Sequence, residues 1–230
     1  MLLECKKVSK RYGETKALDN LNLEIQSGKI VGLLGPNGHG KTTLIKILSG
    51  LLRQDSGNIL IDGKNIGVET KKIVSYLPER SYLSPGMKVK EAVKFFDEFY
   101  DDFDSERANA MLDELGLDKE SRLKSLSKGN REKVQLIMVM SRNAKLYLLD
   151  EPMGGVDPAA RDYILKTIIR NYSENATVII STHLIQDVEQ ILDEVVFLKE
   201  GNIMLHRDVD ELREEKQKSV DALFREVFSC

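Results

Sequence analysis

The sequence predicts an α/β fold, on three observations. Short apolar runs with strand character alternate with stretches of helical periodicity. One such run passes into one such stretch through the glycine-rich turn "GPNGHGKT" at 35–42. Between about residues 79 and 143 strand signals are missing while helical periodicity persists, which predicts a helical insertion. In chain order, strands are expected near 2–8, 21–25, 30–34, 58–61 and 73–76, then near 146–149, 177–181, 194–198 and 203–206. Helices are expected at 41–52, 89–100, 104–115, 130–142, 159–171 and 185–191. The early strands suit a separate antiparallel piece, and strands alternating with helices suit layered α/β packing.

With 230 residues, 41% hydrophobic and 31% charged, the chain suits one large domain with a real core. The expected division is a core of about 1–78 and 144–206, a helical part of about 79–143 and a tail of about 207–230. In that tail, residues 207–219 are charge-dense, and Val220, Leu223, Phe224, Val227 and Phe228 then form a stripe expected to dock on the chain's own domain. A formal net charge of −3 leaves no basic footprint, so no nucleic-acid partner is expected. Cys5 and Cys230 match no metal or redox spacing and suit a reducing cytoplasm. Without an apolar run of about 18 residues, or a signal-peptide core behind "MLLECKKVSKRYG", the chain is expected in the cytoplasm. It would serve a membrane only through a partner.

The turn at 35–42 fits the phosphate-loop pattern G-x-x-x-x-G-K-[ST] through Gly35, Gly40, Lys41 and Thr42. Such a loop curls so that its N–H groups point inward, and the following helix adds the positive end of its dipole. Lys41 would reach the β- and γ-phosphates, and the Thr42 hydroxyl would ligate Mg²⁺. His39 is expected to serve through its backbone N–H, with the ring a bystander turned away. Downstream, "LYLLDEP" at 146–152 is an apolar strand ending in two carboxylates. It would deliver Asp150 to that Mg²⁺ and leave Glu151 to take a proton from an attacking water.

In "SLSKGNREKVQL" at 125–136, Ser127 stands where an N-cap belongs, with Gly129 beside it. A hydroxyl and a glycine at a helix N-terminus also make an anion site aimed outward. Such a site makes sense if another copy supplies the nucleotide. "IISTHLI" at 179–185 puts His183 just past a buried strand, where its ring could reach a γ-phosphate.

In this order the phosphate loop, the Ser-x-Gly motif, "LLDEP", "VDP" and "STH" resemble the ATP-binding subunit of an ATP-binding-cassette (ABC) transporter, across nearly the whole chain. The resemblance implies a P-loop NTPase core with an antiparallel β subdomain and an inserted α-helical subdomain. It also implies ATP and Mg²⁺ as cofactors. Two subunits, alike or different, would pair head to tail around two ATP molecules and drive an integral membrane permease from its cytoplasmic face. Tyr12 would stack on adenine, although "RYG" is also a plausible turn. Gly35, Pro36, Asn37, Gly38, His39, Gly40, Lys41, Thr42 and Thr43 would hold phosphates; Thr42, Asp150 and Glu79 would serve the metal. Glu151 would be the general base and His183 the γ-phosphate sensor. Ser127 and Gly129 would act on the partner's ATP, and Asp157 would lie in the loop coupling the two sites.

The chain departs from the family pattern at three places. Its signature reads Leu126-Ser127-Lys128-Gly129-Asn130 where Leu-Ser-Gly-Gly-Gln is usual. Glu79 stands where Gln is usual, adding negative charge beside the phosphates, and Gly154-Gly155-Val156-Asp157 carries glycine where serine is common. Similar variants occur among subunits paired with separately encoded membrane proteins of the exporter type. The rival class is a soluble ABC ATPase acting in translation, DNA repair or cofactor assembly, but the chain has neither a second cassette nor a long coiled-coil insertion. Finally, "KFFDEFYDDFD" at 94–104 gathers five of the fourteen aromatics, with Phe95, Phe99 and Phe103 expected on one helical face. That face would either pack within the insertion or form part of the surface receiving the membrane partner.

Overall fold

In the computed structural model, which describes residues 1–173 and 175–228, two sheets and a helical layer share one chain. β1 (Leu3–Tyr12) and β2 (Thr15–Ile25) form a long hairpin, and β3 (Ile30–Leu34) runs into α1 (Lys41–Leu48). β4 (Ser56–Ile61), β5 (Lys64–Asn65) and α2 (Val68–Ile73) lead to β6 (Val74–Leu77). Helices α3 (Val89–Phe99), α4 (Ser105–Glu114) and α5 (Lys128–Met140) follow, with a single 3₁₀ turn at Leu123–Ser125. Then come β7 (Leu146–Asp150), α6 (Pro158–Asn171), β8 (Thr177–Thr182), α7 (Ile185–Val188), β9 (Glu194–Lys199) and β10 (Asn202–Asp208). The tail folds as α8 (Val209–Lys216) and α9 (Val220–Phe228).

The larger sheet has the order β10-β9-β3-β8-β7-β6, with β9, β3, β8, β7 and β6 parallel and β10 antiparallel at one edge. Parallel strands covered on both faces read as continuous apolar runs. That is why β3, β7 and β8 are buried at every position and easy to find in the sequence. The smaller sheet is antiparallel, in the order β2-β1-β4-β5. Leu3, Leu21, Ile25 and Ile59 from it pack with Ile45 of α1 and Leu33 of β3 into one core layer. On the opposite face of the larger sheet, Ile164 and Ile168 of α6 pack with Ile180 and Phe197.

α9 docks on that second layer as the tail stripe predicts. The rings of Phe224 and Phe228 lie 5.5 and 5.9 Å from that of Phe197. Val227 is the exception and stays exposed. Cys5 is buried in β1, its thiol pushed up to about 12 by desolvation, which suits an inert core residue. Cys230 lies outside the described residues.

The aromatic helix corrects one expectation. Phe103 falls beyond the end of α3, and the ring that fills the helical core is Phe96, together with Val89, Ala92 and Val93. Phe95 and Phe99 face out instead, Phe99 with 70% of its surface exposed. A helical wheel centred one residue away would have found the buried face; the density of phenylalanine on both faces hid it. Arg142, buried at the end of α5, ties this helical layer to the sheet. It grips Asp102 through two bonds of 2.9 and 3.1 Å and donates to Val74 O and Lys72 O, each at 2.7 Å. Arg142 is buried while Asp102 stays partly exposed, so losing Asp102 would leave the guanidinium with its two carbonyl partners only.

Candidate functional site

The phosphate-loop segment hangs from the C-terminal end of β3, where α/β sheets bind their ligands. Gly40, the N-cap of α1, has φ 106°, and a Cβ there would stand 2.3 Å from Ala17 O. Both the left-handed backbone and the close approach therefore demand glycine. Lys41 folds back on the loop and donates to Gly35 O at 2.7 Å and Pro36 O at 3.2 Å, with Glu151 Oε1 3.8 Å away. Burial pushes the Lys41 amine below the usual lysine range, against the opposing pull of Glu151, Asp150 and Glu79.

Two strands away, β7 brings its terminal Asp150 to the same edge. Asp150 is 1% exposed, and its Oδ1 accepts from Ser181 Oγ at 2.6 Å and from Thr42 Oγ1 at 3.1 Å. Its Oδ2 is buried with no hydrogen-bond partner among the described residues. Desolvation pushes the Asp150 carboxyl up, partly offset by those two hydroxyls. Glu151 follows at φ 49°, a left-handed conformation that costs a non-glycine residue about 1–3 kcal/mol. Its N–H donates to Ser181 O at 3.0 Å and approaches Ser181 Oγ at 3.2 Å, which holds the strained turn in place. One carboxylate oxygen, Oε2, lies 3.0 Å from His183 Nδ1, so in the neutral ring the proton sits on Nδ1.

Ser181 is the residue that sequence reasoning missed. It sits within the quoted "STH", yet only the histidine was singled out. Register explains its importance: β7 and β8 pair in parallel with Asp150 opposite Ser181, so one hydroxyl serves both carboxylate-bearing residues. Two neighbouring apolar runs that both end in polar residues were the available signal.

A cavity of about 770 Å³ opens over this edge, of a size suited to a nucleotide. Asn37, Gly38, Gly40, Lys41, Thr42 and Thr43 line one side of it; Glu79, Glu151 and His183 line others. Lys128, Arg131, Glu132 and Gln135 of α5 form a further wall. Gln135 is 4% exposed, and its Oε1, like Glu132 Oε2, lacks a hydrogen-bond partner among the described residues. Burial pushes the Glu132 carboxyl up.

Ser127 caps α5 by accepting from Asn130 N at 3.2 Å. Beside it, a Cβ on Gly129 would meet Asp157 Oδ2 at 3.7 Å, and Lys128 Nζ donates to Gly154 O at 3.2 Å. Asp157 itself caps α6 through Ala160 N at 3.0 Å. The Ser127–Gly129 turn and the loop behind Glu151 are thus neighbours, with Ser127, Lys128, Gly155 and Asp157 exposed and Pro152, Met153 and Val156 buried. Tyr12, half exposed at the far end of the β1–β2 hairpin, does not line the cavity, nor do Ser127, Gly129 and Asp157. His39 turns its ring away from the cavity, toward the β9–β10 turn.

The chemistry of the donors fits a hard cation bound with phosphate. The Thr42 hydroxyl and a buried carboxylate with one unsatisfied oxygen stand 3.1 Å apart. Among the described residues no cluster of three or more His, Cys, Asp or Glu could hold a metal. A cation here would therefore share its coordination with substrate oxygens and water, as Mg²⁺ does.

The family profile described as ABC transporter matches residues 18–154. An ABC transporter ATP-binding protein of Methanocaldococcus jannaschii is 33% identical over 91% of this chain and 79% of its own length. The ATP-binding protein of a peptide export system in Bacillus subtilis is 31% identical, covering 94% of this chain and 93% of that one. The solved ATP-binding subunit of an ABC transporter superposes with a TM-score of 0.88 at 28% identity, covering 99% of each chain.

Proposed function

The chain belongs to the ABC transporter ATP-binding family and is an ATP-hydrolysing subunit of that kind, and we propose that it works as one of a pair beneath a separately encoded export permease. The convergence of Lys41, Asp150, Glu151 and His183 at one sheet edge carries this proposal. Lys41 exchanges the Gly35 and Pro36 carbonyls for β- and γ-phosphate oxygens, and the loop N–H groups before α1 take the rest of the charge. Thr42 and Asp150, with Glu79 lining the same cavity, would hold Mg²⁺, which would neutralise phosphate charge. Glu151 accepts a proton from water as the water oxygen bonds to the γ-phosphorus and the β–γ bridging bond breaks, releasing ADP and phosphate. His183 orients Glu151 through their 3.0 Å contact and contacts the γ-phosphate.

The exposed Ser127–Gly129 turn is offered to ATP held by the other subunit, alike or different, with Asp157 beside it linking the two sites. Tyr12 stacks on adenine from the hairpin tip. In this assignment the core spans about 1–78 and 144–206, and the helical part of about 79–143 meets the permease through its outward face at Phe95 and Phe99. Among the described residues no helix is long and apolar enough to cross a membrane, so attachment to the inner face of the membrane falls to the permease.

Glu151→Gln tests the chemistry. It should cut ATP turnover by about 10²–10⁴-fold while ATP still binds, since a general base contributes on that scale. Lys41→Ala should lose nucleotide binding itself. Near-normal hydrolysis by purified Glu151→Gln protein would remove Glu151 from its role.

A further inference from the structure

His39 stands between Gly38 and Gly40 in the phosphate loop, and its ring is committed elsewhere. Glu200 N donates to His39 Nδ1 at 2.9 Å. A backbone N–H can only donate, so this contact fixes the tautomer: Nδ1 carries the lone pair and Nε2 the proton. The bond reaches across 161 positions of sequence to the tight turn between β9 and β10. There Glu200 at φ 49° and Gly201 at φ 77° adopt the paired left-handed conformation of a two-residue hairpin turn.

That turn touches the loop at two further points. Gly201 N donates to His39 O at 3.2 Å, and a Cβ on Gly35 would come within 2.3 Å of Leu198 O at the end of β9. It also meets the second strand of the β1–β2 hairpin, since Asp19 N donates to Gly201 O at 3.1 Å. Gly40 then presses on Ala17 O of that same hairpin. The start, crown and end of the phosphate loop therefore lie against β9, the β9–β10 turn and the β1–β2 hairpin respectively. Of these contacts, the Glu200–His39 bond depends on a side chain of the loop rather than on its backbone.

We infer that His39 is a positioning residue for nucleotide: its Nδ1 pins the crown of the phosphate loop to the β9–β10 turn, presetting the loop N–H groups for phosphate before the ligand arrives. The inference rests on ATP being the ligand of this loop. A loop ordered in advance costs less to order on binding, so the pin acts on nucleotide affinity more than on the chemical step. A merely space-filling histidine would not care which ring atom accepts.

Side-chain geometry offers a test that separates these roles. Asn places its Oδ1 where Nδ1 stands, Gln places its acceptor one bond further out, and Ala has none. ADP, which is not hydrolysed, is titrated into the full chain by calorimetry. His39→Gln and His39→Ala should each weaken ADP binding about threefold to tenfold, the range of one net hydrogen bond. Their KM for ATP should rise by a similar factor with kcat nearly steady, and His39→Asn should restore parental affinity. Hydrogen exchange at the Glu200 amide should be fast in the Gln and Ala variants and slow in the parent and the Asn variant. Parental ADP affinity in His39→Gln, or equal weakening in His39→Asn and His39→Gln, would overturn the inference. A parent chain that binds no ADP would instead overturn the nucleotide assignment itself.

Discussion

Two turns in this molecule present backbone N–H groups at a helix N-terminus, and they are held in opposite ways. The turn before α1 is enclosed. Gly40 is pressed on Ala17 O, Lys41 is buried against two loop carbonyls, and Thr42 bonds Asp150 from a neighbouring part of the sheet. The turn before α5 is open. Ser127 and Lys128 are exposed, and the turn is tied by its cap bond, by Lys128 to Gly154 O and Glu132, and by Arg131 to Leu126 O and Ser127 O. No acidic residue sits in the first turn of α5, although a helix N-terminus favours one. α1 likewise has no acid in its own first turn, but Thr42 and Lys41 meet Asp150 and Glu151 there, whereas at α5 Glu132 stands 3.8 Å from Lys128 Nζ and Asp157 lies beside Gly129. The first turn lines the cavity, whereas Ser127 and Gly129 lie outside its lining, where the proposed second subunit would meet them.

A cation placed in the open turn is the strongest way to break that contrast. With Glu151→Gln, ATP and Mg²⁺, the parent should convert at least partly from monomer to dimer in solution, since nucleotide that binds the closed state shifts the equilibrium toward it. Adding Ser127→Arg should abolish that dimer while monomer ATP affinity holds steady. The bulky side chain would fill the space the partner's phosphate needs, and overpacking of that kind costs about 1–3 kcal/mol or more, which weakens association roughly tenfold to a hundredfold. Ser127→Ala is the milder variant: it loses the cap bond to Asn130, worth about 1 kcal/mol, and the hydroxyl offered to the partner's ATP, but adds no bulk, and should leave a reduced but measurable dimer. Should Ser127→Arg dimerise as well as its parent, the open turn does not serve a second subunit.

The same contrast decides what could be read from sequence. The enclosed turn was legible because burial forces its pattern: β3, β7 and β8 are apolar throughout, and chemistry-bearing residues appear abruptly where the strands end. Short elements with little burial left no such trace. β5 has two residues, both exposed, and α2 buries only Thr70, so neither was expected. The hairpin reaches further than expected because the end that carries Tyr12 is exposed and lacks an apolar alternation. Ser181 and the His39 ring escaped for another reason. Their importance lies in strand register and in a contact across the whole chain, and neither can be seen in local spacing.

A smaller effect should sharpen the picture of the enclosed turn as a stored cost. Desolvation raises the Asp150 carboxyl above the ordinary carboxylate range, so the folded state binds its proton more tightly than the unfolded state does. Stability therefore falls as pH climbs from the ordinary carboxylate range through the raised value, and the full penalty stands above it. Asp150→Asn keeps the oxygen that accepts from Ser181 and Thr42 and removes the buried charge. In nucleotide-free protein at neutral pH, its Tm should rise by about 2–4 °C for each kcal/mol of penalty removed. Its stability should also vary less with pH through that window. An unchanged Tm at pH 7 would mean that the two hydroxyls already offset the desolvation.

Glu79 is the mildest lever, because it acts on the enclosed turn across the cavity rather than by contact. It lines the same opening as Thr42 and Glu151, and its charge is the last of the influences on both Lys41 and Asp150. Glu79→Gln keeps an oxygen that can bind Mg²⁺ or water and removes one negative charge near the phosphates. Two consequences oppose each other. Less repulsion favours the triphosphate, while one anionic ligand fewer weakens the hold on Mg²⁺. At an exposed position both are screened, so the change should stay within about threefold. ATP binding should persist, and activity at low Mg²⁺ should be retained or raised. A Mg²⁺ titration of ATP hydrolysis by the two proteins measures this directly. Complete loss of hydrolysis in Glu79→Gln would show that the carboxylate itself takes part in the chemistry, and the enclosed turn would then need three acids rather than two.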